Sequence, residues 1–274
     1  MALPVHYDRR MTTNLTVHVL TSFFLAGLWI AGATLLAERL GSRLGGLIAN
    51  LPSNIVISYI FIAQASGIPY AANATAAVPV GMLIDTVFLA VLVLTLKRGV
   101  VSAVLLALAS WFLLAWISAS LGAYPMSVTI PVYLAITILI WLFLEYGVHL
   151  PSKDRVRTRF SWTALSVRAL FAGSIVATTV LLSHFLDPYW VGLISTFPAV
   201  LLSSMVILTL AQGASFAQAT GKVLILSSTN IVVYALVIRW AYPNWGIAAG
   251  TVAGFACAVV FVALIRPVLN WISS

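Results

Sequence analysis

Apolar residues run along this chain in unbroken stretches, with neither the alternation of a half-buried strand nor the one-sided stripe of a surface helix. Each stretch has about 20 residues, the length a helix needs to cross a hydrocarbon core of roughly 30 Å. Nine spans are predicted, over residues 16–37, 46–66, 72–96, 100–120, 128–148, 163–185, 190–211, 216–239 and 244–266. Turn-forming tracts separate them: SGIPY at 66–70, KRG at 97–99, GAYP at 122–125, DPYW at 187–190 and AYPNWG at 241–246. A membrane barrel is excluded, because its strands alternate apolar and polar residues over about ten positions. The expected class is an all-α polytopic membrane protein. The only long polar tract, HLPSKDRVRTRFSW at 149–162, divides a first unit (1–148) from a second (163–274).

The two units share a phrase. Residues 46–52 read GLIANLP and residues 192–198 read GLISTFP. Aligned at a constant shift of 146, residues 27–58 and 173–204 are identical at ten of 32 positions, including Gly27 with Gly173, Gly46 with Gly192 and Pro52 with Pro198. Matches of Leu and Ala come cheaply in such a composition, whereas two glycines and a proline in register do not. After a one-residue slip, Ala74–Thr75 meets Ala219–Thr220 and Asp85 stands opposite Asn230. The expected plan is therefore four spans, a lone fifth, and four more. Five crossings separate equivalent helices, so the second copy enters the membrane upside down, the 4+1+4 inverted repeat of many secondary transporters.

Charge sets the orientation. Of the chain's residues, 62% are hydrophobic and 7% charged, with a net charge of +8. Loops 1–2, 3–4 and 5–6 hold Arg39, Arg43, Lys97, Arg98, Lys153, Arg155, Arg157 and Arg159, while the facing loops 2–3, 4–5 and 6–7 hold no Lys or Arg. The positive-inside rule places the basic loops in the cytoplasm, the N-terminus outside and the C-terminus inside, in a bacterial inner membrane. Arg9, Arg10 and Arg239 pull the other way. The basic excess reads as topology rather than nucleic-acid binding, and the lone Cys257 offers neither a disulfide nor a metal cluster.

Each unit resembles the GlpM family of small four-span bacterial membrane proteins, in which a glycine and a proline lie about six residues apart early in the second span. Gly46 and Pro52, then Gly192 and Pro198, carry the resemblance. It implies two such units joined by an extra span, and an association with envelope polysaccharide (alginate) production.

Asp85 is the most informative single residue. It falls near the middle of the third span, where a carboxylate costs at least a few kcal/mol. Such residues face the bundle interior and serve ion pathways, or else hydrogen-bond a neighbouring helix, here through Thr75, Ser53 or Asn54. Asn230 keeps the size of Asp85 and drops the charge. Pro52 and Pro198 each remove a backbone donor and free a carbonyl, with Asn50, Ser53, Asn54 and Thr196 close by. Paired helix breaks at corresponding spans point to a transporter site; their plainer reading is a pair of kinks rescued by hydroxyls. Lys222 and Arg239 read as snorkelling or anchoring residues, and Glu145, His149, Glu38, His18 and His184 as interfacial. Gly246, Gly250 and Gly254 form a GxxxGxxxG stripe that lets a helix approach closely, expected from the fourth span or from a second copy in a homodimer.

The chain carries no HExxH, Gly-x-Ser-Gly or Gly-x-Gly-Asp setting, and no cofactor or metal is expected. The expected function is a secondary transporter of a small polar or cationic solute, coupled to protons or another cation through Asp85. The rival is a non-transporting scaffold for envelope polysaccharide assembly.

Overall fold

The computed structural model describes residues 9–39, 52–150 and 161–273. Residues 46–51, most of the first phrase and with it Asn50, lie outside that set, as do residues 153–159 of the basic linker. The described residues form helices, joined by turns, without a strand among them. In chain order these are α1 Arg9–Arg39, α2 Ser53–Ser66, α3 Ile68–Ala74, α4 Val78–Thr95, α5 Val100–Leu121, α6 Met126–Leu142, α7 Trp162–Leu182, α8 Pro188–Ser195, α9 Ala199–Gln212, α10 Ala214–Ser227 and α11 Asn230–Ser273. A 3₁₀ turn, Thr75–Ala77, carries α3 into α4, and a π-helical turn, Phe143–Gly147, closes α6.

Seven of the described helical runs are long and apolar enough to cross a membrane. They are inside-out compared with a water-soluble bundle. On α5 the buried stripe is Ala103, Ala107, Trp111 and Ala115, one residue per turn facing α4, while Leu105, Phe112 and Trp116 point outward at about 60% exposure. Small residues inside let backbones approach, and large apolar ones meet the lipid. The architecture is thus all-helical and fits a polytopic membrane protein.

Three features of the packing recur at a spacing of 146 residues. The first is conformational. Pro52 (φ −76°, ψ 48°) opens the 14-residue α2, which Gly67 closes at φ 92°; Pro198 (φ −79°, ψ 44°) opens the 14-residue α9, which Gly213 closes at φ 86°. Only glycine takes that left-handed extended backbone at no steric cost.

The second feature joins α1 to α7. A Cβ placed on Gly27 would lie 3.3 Å from the Ala169 carbonyl oxygen, and one on Gly173 would lie 2.7 Å from the Phe23 carbonyl oxygen. Gly27 and Gly173 are 146 apart, and so are Phe23 and Ala169. Moving along α1 from 23 to 27 moves the partner on α7 back from 173 to 169, so the two helices run antiparallel.

The third joins the stretch 68–98 to α10 and the start of α11. The Gln218 Nε2 donates to the Val93 carbonyl at 2.6 Å, and the Arg239 guanidinium donates to the Ala72 carbonyl at 3.2 Å. Residues 72 and 218 correspond at the shift of 146, as do 93 and 239. These two contacts keep a spacing of 146 on either side of Asp85, where the sequence alignment takes 145 after its slip. At the spacing of 146, Asp85 stands opposite Ile231, one residue from Asn230. Arg239, expected as an interfacial anchor, instead reaches the helix turn at Ala72 and Thr75.

Two further expectations change. The eighth span does not run through 216–239 unbroken: α10 stops at Ser227 and α11 starts at Asn230. The tract SSTN at 227–230 explains the stop, because such side chains compete for backbone hydrogen bonds; Ser227 and Ser228 donate to the Leu224 and Ile225 carbonyls. On the glycine stripe, Gly246 (φ 76°) is a bend inside α11. Gly250 and Gly254 then pack on Tyr242 and Tyr234 of the preceding arm, so the partner of this stripe within the chain is that arm rather than the fourth span.

Candidate functional site

Pro52 and Pro198, each the residue before a helix start, line one cavity of about 110 Å³. Of the residues singled out from sequence, Pro52, Asn54, Asp85, Thr196, Pro198 and Asn230 line it. Asn50 lies outside the described residues, and the side chain of Ser53 is likewise not described. The site therefore collects residues from α2, α4, the α8–α9 break and the α10–α11 break.

The local folding of each wall follows from a few residues. At the α8–α9 break, Pro198 cannot donate a backbone hydrogen bond, so the helix stops at Ser195 and restarts at Ala199. Thr196 fills the gap by donating its hydroxyl to the Leu193 carbonyl at 2.7 Å. The break nests on α4 because position 81 is glycine: a Cβ there would overlap the Thr196 side chain. Gly192 does the same service one turn earlier, against the Ala74 carbonyl and Ala77. The doubled glycine–proline phrase thus has a steric meaning in its second copy. The glycine admits the neighbouring backbone, and the proline opens the helix onto the cavity.

Asp85 is buried, one turn beyond Gly81 on α4. Its partner is Trp111 of α5, whose indole N–H donates to Oδ1 at 2.9 Å. Neither Thr75 nor Asn54 donates to this acid among the described residues; Thr75 instead donates to the Ala72 carbonyl. The Trp111 ring stands edge-on to Phe197, with centroids 4.9 Å apart, so the same indole braces both the acid and the helix break. Among the described residues no donor reaches Oδ2. A tryptophan inside an apolar span needs an acceptor for its N–H, which was the available sequence signal for this pair.

α6, which covers the fifth predicted span, touches the site from behind. Tyr133 hydrogen-bonds Thr229 in the α10–α11 break at 3.0 Å, and Thr137 meets Thr86 of α4 at 3.3 Å. One helix thereby contacts both wall elements that carry Asp85 and Asn230.

Lys222 is a correction. It was expected to snorkel outward, yet it is 1% exposed and its ammonium lies 2.5 Å from the carboxylate of Glu145, in the π turn after α6. Glu145 was read as interfacial and is the other half of this ion pair. Lys222 is not among the residues that line the cavity, and its pairing with Glu145 ties α10 to the turn that closes α6. No group of three or more metal-ligating side chains occurs among the described residues.

Compared with protein-family models, with curated proteins and with solved structures, the chain matches none.

Proposed function

We propose that this protein is a secondary transporter of a small polar or cationic solute, working by alternating access between two inverted units. The observation that carries the proposal is the cavity itself: two proline-led helix starts and a buried carboxylate border one solvent-sized space. Discontinuous helices around a midplane site are the recurring device of such transporters.

Nine spans in a 4+1+4 order are the topology that supports the reading. The run Ala214–Ile265 has 52 residues, roughly 78 Å of helix, more than twice the hydrocarbon thickness. Gly246 is where it turns back. The mirrored contacts of Gly27 and Gly173 favour a two-fold axis across the helices, since equivalent helices run antiparallel there. Such an axis lies in the membrane plane. Loop charge favours a cytoplasmic 149–162 linker and an outward N-terminus.

Asp85 is the proposed coupling residue. It is the acid on the cavity wall, and its repeat neighbourhood supplies Asn230 and Ile231 in place of a second charge. The protein needs no catalytic role in this reading. The rival, a scaffold for polysaccharide assembly, draws on the resemblance of each unit to the GlpM family. Solute counterflow in proteoliposomes separates the two: a transporter exchanges labelled solute across the bilayer, and a scaffold exchanges none.

A further inference from the structure

The cavity carries two kinds of unmet polar group, and together they define a ligand class. The first kind accepts. Asp85 is 2% exposed, lines the cavity, and has no donor for Oδ2 among the described residues. Ser195, Thr196, Ser227 and Ser228 line the same cavity. Thr196 and Ser227 donate to carbonyls of their own helix, at Leu193 and Leu224, and Ser195 and Ser228 are engaged by the Gly192 and Ile225 carbonyls and by Tyr59 and Tyr133. A hydroxyl so committed offers the cavity only lone pairs.

The second kind donates. α9 starts at the cavity wall without a side-chain cap. The amides of Ala199 and Leu202 find carbonyls at Phe197 and Pro198. Those of Val200 and Leu201, both on the cavity wall, find none among the described residues. An uncapped helix start favours a negative group.

A lone cation leaves those amides unmet, and a lone anion faces the Asp85 carboxylate. A bare metal ion is also too small: a single water takes roughly 10–15 Å³ on the measure by which this space is about 110 Å³. Resting on the reading of this cavity as a solute site, we infer that its ligand is a small zwitterion, with an ammonium and a carboxylate on one short carbon skeleton, the chemistry of a free amino acid. The ammonium meets Asp85 and the hydroxyl oxygens, and the carboxylate meets the start of α9.

The test is calorimetric titration of the full chain in lipid nanodiscs. The probes are glycine, L-alanine and L-leucine, with ethylamine, propionate and propionamide as controls of matched size. At least one amino acid should saturate, with each control about 10- to 100-fold weaker. Asp85→Asn should weaken the amino acid by a similar factor and leave propionate no worse. Val200→Pro removes one free amide within the first helical turn and should weaken the amino acid in protein whose helix content by circular dichroism is unchanged. Propionamide or ethylamine binding as tightly as the amino acids would overturn the inference, and so would no saturation by any amino acid. Uptake of some other solute with no amino-acid binding sinks the ligand class and spares transport. Amino-acid binding without any uptake sinks transport and spares the ligand class.

Discussion

Gly27 and Gly173 perform the same task from opposite sides of one contact. Each lies where its helix meets the other, Gly27 against Ala169 and Gly173 against Phe23, and each is the other's counterpart at the shift of 146 residues. The two sides are unequal in tightness. A Cβ at position 173 meets a backbone oxygen at 2.7 Å and the Phe23 ring at 3.2 Å, whereas one at 27 meets its nearest atom at 3.3 Å. Gly173→Ala should therefore destabilise the folded protein by about 1–3 kcal/mol and Gly27→Ala by less. Thermal unfolding in detergent measures the order, and equal effects would mean that α1 and α7 do not meet in this register.

The Lys222–Glu145 pair yields a prediction of a different kind. Lys222 is buried and Glu145 is 25% exposed, so removing the lysine leaves a partly buried carboxylate with no cation at 2.5 Å. Lys222→Met alone should cost roughly 3 kcal/mol, and Lys222→Met with Glu145→Gln should recover most of it. A double-mutant cycle on unfolding free energy reads the coupling. Simple additivity would show that the pair contributes nothing to holding α10 on α6.

Much of this arrangement was legible in the sequence, for identifiable reasons. Length and composition announced helices in lipid, and the doubled glycine–proline phrase pointed to Pro52 and Pro198, which the fold brings to one cavity with Asp85 and Asn230. The facing of individual residues was not legible. In a helix apolar all round, no stripe distinguishes the side that meets lipid from the side that meets protein. Lys222 therefore looked like a snorkelling residue, and nothing in the pattern singled out Trp111. The slip in the sequence alignment rests on matching Ala74–Thr75 to Ala219–Thr220, two inexpensive identities, whereas the contacts of Val93 with Gln218 and of Ala72 with Arg239 are related by a spacing of 146.

Trp111 should matter through its N–H and not only through its bulk. Trp111→Phe keeps an aromatic ring beside Phe197 and withdraws the donor from Asp85 Oδ1. The expected loss is about 1–3 kcal/mol of stability, most of which should disappear when Asp85 is already Leu or Ala. An undiminished loss in those backgrounds would assign the residue to packing alone.

Orientation is open to direct chemistry. In a Cys257→Ser background, single cysteines at residues 122–126 should react in intact cells with a membrane-impermeant maleimide. Cysteines at residues 153–159 should react only after permeabilisation, because the proposed topology keeps the basic loops in the cytoplasm. The reverse pattern would invert the proposed topology while leaving the cavity untouched.

The central claim is that Asp85 couples solute movement to a cation gradient, and the most direct measurement is uptake into proteoliposomes with the gradient imposed. Asp85→Asn should insert and fold as well as the native chain, because an amide at the cavity wall replaces a costly buried acid and can still accept from Trp111. The account predicts that native protein accumulates its solute against a concentration difference when a proton or sodium gradient is applied. The Asp85→Asn protein should merely equilibrate that solute, at the same rate with or without the gradient. Gradient-driven accumulation by Asp85→Asn equal to that of the native chain would contradict it.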